Sequence, residues 1–161
     1  MKVVFVIWLL LAIVAEGGSR ESMLLEKGLW PARSPICGTC STTLMLRYFS
    51  DRTPFENVDL ALKRDSEGLI SFGEISRYLT GRGLRVGGIR GGVGDIMKSD
   101  VGYILAMRSE GEAFHFVFAL YDSKGNCWQI ADPQTNTEFV EVPEGALEKE
   151  WSGMALIVSR S

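Results

Sequence analysis

The chain has 161 residues, 46% of them hydrophobic and 23% charged, which suits one domain with its own core and excludes a disordered segment. Net charge is -3 with no long run of one sign. That argues against nucleic acid as a partner, since phosphate binding needs a basic face, and leaves the acidic balance as an aid to solubility.

Lys2 precedes an almost unbroken apolar run from Val3 to Ala15, 13 residues long. A membrane-spanning helix needs about 20. Small residues at Ala15 and Gly17 follow with the spacing of a cleavage site. Residues 1–17 therefore read as a secretory signal peptide, and the chain as exported to a periplasmic or extracellular space. An uncleaved anchor that ties the chain to a membrane is the alternative. Residues 18–161 then form a single domain, without internal repeat or low-complexity linker.

Ser34 and Pro35 suit the N-cap and first position of a helix running to about Phe49, with Leu44, Met45 and Tyr48 on its buried stripe. Thr53-Pro54 opens a second, shorter helix with Phe55, Val58 and Leu62. Ser71 and Glu74 make a capping box for a third, with Phe72, Ile75 and Leu79 inward and Gly81 or Gly83 at its end. Residues 87–94 hold five glycines in eight positions and read as a loop, outside any dinucleotide or Walker pattern.

The period then changes. Val101 to Arg108 and Phe114 to Tyr121 read as strands, and Ser123-Lys124-Gly125-Asn126 as a hairpin turn. Cys127 to Ala131, Thr137 to Val142 and Met154 to Ser159 are further strands, with a short helix over Glu144 to Glu150. Helices first and an antiparallel sheet second is an α+β pattern.

Three residues stand out chemically. Cys37 falls in the first turn of its helix, where unsatisfied N–H groups and the positive dipole end favour a thiolate. A small buried hydrophobe is the plain alternative. His115 is the only histidine, so any imidazole chemistry must use it. Alternation puts it on a face with Val117, Ala119 and Tyr121, opposite Phe114, Phe116, Phe118 and Leu120. Asp132 ends the next strand, where pairing brings it near His115 and a carboxylate can fix the ring's tautomer. Asp-Pro also starts ordinary turns.

The order of these residues, cysteine on a helix, histidine on a strand and aspartate on the adjacent strand, is that of papain-like folds. The run Cys37-Gly38-Thr39-Cys40-Ser41-Thr42-Thr43-Leu44-Met45-Leu46-Arg47-Tyr48-Phe49 resembles the nucleophile helix of C39 cysteine peptidases. Gly68 to Ile75 with Gly83-Leu84 is similar to that family's middle helix, and His115-Phe116-Val117 and Asp132-Pro133 to its histidine and aspartate segments. Glu150-Trp151-Ser152-Gly153-Met154-Ala155-Leu156 is similar to its closing Trp-x-Gly-x-x-Leu. The resemblance covers about residues 36–158. It implies a papain-like fold and peptide hydrolysis through a thioester on Cys37, without a cofactor or metal. His115 would be general base then acid, Asp132 the orienting residue, and a peptide or protein the substrate. Family members often remove leader peptides after a double glycine, frequently beside an export ATPase. This chain would be a stand-alone member.

One position departs. The family usually places a glutamine about six residues before the cysteine to donate to the oxyanion, and here Pro31 stands there. Losing such a donor costs about 3–4 kcal/mol of transition-state stabilisation. An inactive member that binds peptides in the same groove is therefore the first alternative. A redox protein using Cys37-Gly38-Thr39-Cys40 is the second, and a zinc site of Cys37, Cys40, His115 and Cys127 the third. Three cysteines is an odd count, and after export a Cys40–Cys127 bridge is the pairing that leaves Cys37 free.

Overall fold

The first helix, α1 (Cys37–Tyr48), is buried over Gly38 to Arg47 in the computed structural model, which describes residues 37–108, 114–132 and 139–161. The expected stripe was narrower. The whole helix is covered because α1 lies between a sheet and two further helices, α2 (Phe55–Ala61) and α3 (Phe72–Gly81). Its buried hydroxyls are each satisfied. Thr39 donates to Asp59 at 2.7 Å, Ser41 to the Phe116 carbonyl at 3.2 Å, Thr42 to the Gly38 carbonyl at 2.7 Å and Thr43 to the Thr39 carbonyl at 2.8 Å. Helix α2 starts after Pro54, and α3 is capped by Ser71, which accepts from the Glu74 amide at 3.2 Å.

The strands are β1 (Leu84–Arg90), β2 (Gly102–Met107), β3 (His115–Asp122), β4 (Cys127–Ala131), β5 (Val140–Val142) and β6 (Trp151–Arg160). A 3₁₀ turn, Val93–Ile96, follows β1, and α4 (Glu144–Glu150) precedes β6. The sheet order is β1-β6-β2-β3-β4-β5, and every described pairing is antiparallel. This is the expected α+β class. The β3–β4 hairpin, β4 and α4 fall where the sequence put them.

The glycine-rich stretch is a correction. Half of it, Gly87 to Arg90, is strand β1 rather than loop. Gly87 lies opposite Ile157 and Gly88 opposite Leu156, so the backbone ladder needs no side chain from the glycines. An edge strand tolerates them, because its outer side packs against nothing that must be filled.

Side chains divide as alternation predicts. Phe116, Phe118 and Leu120 join Leu44, Met45, Leu46, Ile104 and Leu156 under the helices. Val117 and Ala119 join Val93, Ile96, Leu105, Trp128, Leu147 and Trp151 on the other face. The expected signal segment, the Ser34-Pro35 cap and Pro31 lie outside the described residues. No described helix is long and apolar enough to cross a membrane.

Candidate active site

Cys37 opens α1 and His115 opens β3, so both side chains lie at ends of elements that pack on each other. Two contacts hold this junction. The Ser41 hydroxyl donates to the Phe116 carbonyl, and the Phe116 N–H is directed at the Cys37 sulfur together with that of Gly38. Gly38 is closely packed: a Cβ there would come 3.1 Å from the Ile70 Cβ, so Ile70 would have to shift.

His115 Nε2 lies 2.6 Å from Asp132 Oδ1, and both side chains are mostly buried, 13% and 24% exposed. The register explains the meeting. Phe118 pairs with Ala131, so Asp132 leaves β4 beside the start of β3. With Nε2 held by the carboxylate, Nδ1 is the nitrogen left for Cys37. Nδ1 is buried and has no fully formed hydrogen bond, yet thiol and ring are close enough to change each other's titration. Such contacts are often long in the free protein and shorten when substrate binds.

Burial alone would raise the Cys37 thiol, but the His115 ring, the Phe116 and Gly38 N–H groups and the ring's charge outweigh it and lower it. Burial alone would likewise lower His115. Its contacts with the Asp132 carboxylate and the Cys37 sulfur outweigh that and raise it to about 9. Both shifts are in the direction that favours a thiolate beside an imidazolium.

A cleft of about 330 Å³ opens at Cys37. Its walls are mostly apolar, with Leu69, Ile70, Phe72, Phe116 and Met154 prominent. Phe72 stacks on Phe116 with centroids 4.6 Å apart. Met154 is aimed there by a bulge. Ala106 pairs with Met154 but Met107 pairs with Trp151, so Ser152 and Gly153 are extra, and Gly153 adopts φ 86°. The Trp151 indole donates to the Met154 carbonyl at 2.8 Å and fixes the bulge. None of these wall residues was a candidate from sequence. The one available signal was the Trp-x-Gly motif, whose glycine marks the bulge.

Cys127 does not join the group. It pairs with Asp122 at the far end of β3 from His115, seven residues and roughly 24 Å away along the strand. The expected Cys40–Cys127 bridge is therefore not formed, and all three cysteines are free. The same separation breaks up the four-residue zinc set, and no cluster of metal-ligating side chains occurs among the described residues. Among the described residues every strand pairing is antiparallel, unlike the parallel pairing of the β-α-β setting of a dithiol oxidoreductase.

Comparison with known proteins agrees with this architecture. The family model described as Peptidase C39 family matches residues 32–161. Among solved structures, a double glycine motif protease from an AMS/PCAT transporter, in complex with the leader peptide, superposes with a TM-score of 0.66 at 20% identity. The match covers 81% of this chain and 91% of that one. The peptidase domain of Streptococcus ComA, a bi-functional ABC transporter of a quorum-sensing pathway, gives 0.65 at 13% identity, covering 78% and 91%. The N-terminal peptidase C39 like domain of a toxin secretion ATP-binding protein from Vibrio parahaemolyticus gives 0.60 at 12%, covering 81% and 100%. At these identities the likeness is one of fold, the papain-like α+β arrangement. No curated protein matches the sequence.

Proposed function

The chain belongs to the peptidase C39 family, and we propose that it is a cysteine peptidase with Cys37 as nucleophile, His115 as general base then acid, and Asp132 orienting the ring. The observation that carries this is the Cys37–His115–Asp132 string, with Cys37 lining a mostly apolar cleft, the thiol lowered and the imidazole raised.

The Cys37 thiolate attacks the scissile carbonyl carbon and a tetrahedral oxyanion forms. The Cys37 backbone N–H, at the helix start, is placed to donate to it. The His115 imidazolium gives its proton to the departing amine, leaving a thioester on Cys37. Neutral His115 then takes a proton from water, which attacks the thioester and releases the acid. Asp132 holds Nε2 throughout, which keeps Nδ1 turned to the sulfur.

The substrate we propose is a peptide whose apolar side chains fill the cleft and which is cut after two glycines. The first of these solved relatives is a double glycine motif protease holding a leader peptide. A peptide-binding protein without turnover is the second reading, favoured by Pro31 where the family has its oxyanion glutamine.

Incubation of the purified protein with a peptide carrying an apolar leader, Gly-Gly and a short extension tests this by mass spectrometry. We expect cleavage after the second glycine, lost in Cys37→Ala. His115-dependent labelling of Cys37 by a peptidyl electrophile, without cleavage of any such peptide, would select the binding reading instead.

A further inference from the structure

Cys40 is not used by the chemistry above, yet it sits one helical turn after Cys37 and is fully buried beneath it. In an α-helix, residues three apart have Cα atoms about 5 Å apart, inside the roughly 4.4–6.8 Å range a disulfide requires. The two cysteines are close enough for charge on Cys37 to raise the Cys40 thiol. Their environments are opposite in kind. Cys37 is partly exposed and lowered, whereas burial, the Cys37 charge and Asp59 push Cys40 up. The outer sulfur is thus open to solutes, and the inner one is shielded from them.

We propose that Cys40 is a resolving thiol, so that hydroperoxides switch this peptidase off reversibly through a Cys37–Cys40 disulfide. The inference rests on the reading of Cys37 as the reactive thiolate. In the first step the Cys37 thiolate attacks the terminal oxygen of a hydroperoxide. The S–O bond forms, the O–O bond breaks, and the leaving alkoxide or hydroxide takes up a proton. Cys37 is oxidised to a sulfenic acid and the hydroperoxide reduced to an alcohol or water. In the second step the Cys40 sulfur attacks the Cys37 sulfur. The S–S bond forms, the S–O bond breaks, and the departing hydroxide takes the Cys40 proton as water. An external dithiol restores both thiols by exchange. The inner sulfur is adjacent and needs no solvent access, so closure competes with further oxidation of Cys37 to an irreversible sulfinic acid. The buried location of Cys40 and the distance of Cys127 make this pair the one that forms.

The test treats the reduced, full-length protein with hydrogen peroxide and follows mass and labelling of Cys37 by a peptidyl electrophile. Both cysteines fall in the tryptic peptide ending at Arg47, and Cys127 falls in another. The expected wild-type result is a loss of about 2 Da in that peptide, with labelling abolished and then restored by dithiothreitol. In Cys40→Ala, which should label at the wild-type rate before oxidation, we expect a gain of about 32 Da and no recovery. A wild-type protein that gains the same sulfinic mass with no disulfide would overturn the proposal, as would a bridge to Cys127 or to a second chain. These readouts do not require substrate turnover. Reversible closure in a protein that cleaves no peptide would support this inference and sink the peptidase reading, while cleavage without closure would do the reverse.

Discussion

At the scale of single residues, the site turns on a competition between burial and contact. Burial disfavours charge on both Cys37 and His115, and the paired charges with their hydrogen bonds overcome it. The protons leave such a pair in two coupled steps. As pH falls through the lowered Cys37 value, the thiolate is protonated and alkylation slows. As pH rises through about 9, His115 loses its proton; the thiolate remains, but the acid needed by the leaving amine is gone. Alkylation should therefore show only an acid limb, and peptide hydrolysis should also fall above about pH 9. In His115→Ala the ring's hydrogen bond and charge are lost while burial and the Phe116 and Gly38 N–H groups stay, so the alkylation midpoint should move up toward the ordinary thiol value near 9. Hydrolysis should drop on the order of 10²–10⁴-fold. An unchanged midpoint in that variant would mean that His115 does not set the thiol's charge. These three residues were legible because each chemistry has few carriers here: one histidine, one cysteine in a helix's first turn, and one aspartate closing the neighbouring strand.

At the scale of elements, the motif after α4 is a device for aiming a side chain. Ser152 and Gly153 form the bulge, the Trp151 indole ties it to the Met154 carbonyl, and Met154 turns into the cleft. Gly153 has φ 86°, and a Cβ there would lie 3.1 Å from the Gly91 carbonyl oxygen. Gly153→Ala should cost about 1–3 kcal/mol in urea unfolding, from backbone strain and the close contact together. Because the bulge must shift, peptide KM should rise more than alkylation of Cys37 by a small reagent slows. Equal losses in both would mean that the strain reaches the thiol rather than the cleft wall. Helices and hairpin were readable from caps and period, since Ser71 and the Ser123-Lys124-Gly125-Asn126 turn each act locally. Strand β1 was not, because what makes Gly87 and Gly88 a strand is β6, which lies about 70 residues downstream. The cleft was hidden for the same reason. Its walls come from α1, α3 and the segment before it, β2, β3 and β6, and no local pattern marks residues that meet only after folding.

For the whole molecule, the sheet is the shared wall of two cores. Strand β2 is buried along its full length, sending Ile104 and Ala106 to the helices and Tyr103 and Leu105 to the opposite face. Strand β3 does the same with Phe116 and Phe118 against Val117 and Ala119. A side chain lost from one face therefore loosens strands on which the other face depends. Leu44 of α1 is 2% exposed and packs only on the helix side, whereas Trp128 and Trp151 lie on the other. Leu44→Ala should cost about 2–5 kcal/mol, from lost transfer energy and the cavity left behind. The check is made in a chain whose two remaining tryptophans, Trp8 and Trp30, are replaced by Phe, so that fluorescence reports only the far face. The fluorescence midpoint in urea should fall with the far-UV dichroism midpoint, by the same amount. If fluorescence kept its original midpoint while dichroism moved, the two faces would unfold separately. The cleft, whose walls come from the helix side and the sheet, would then rest on one core instead of two.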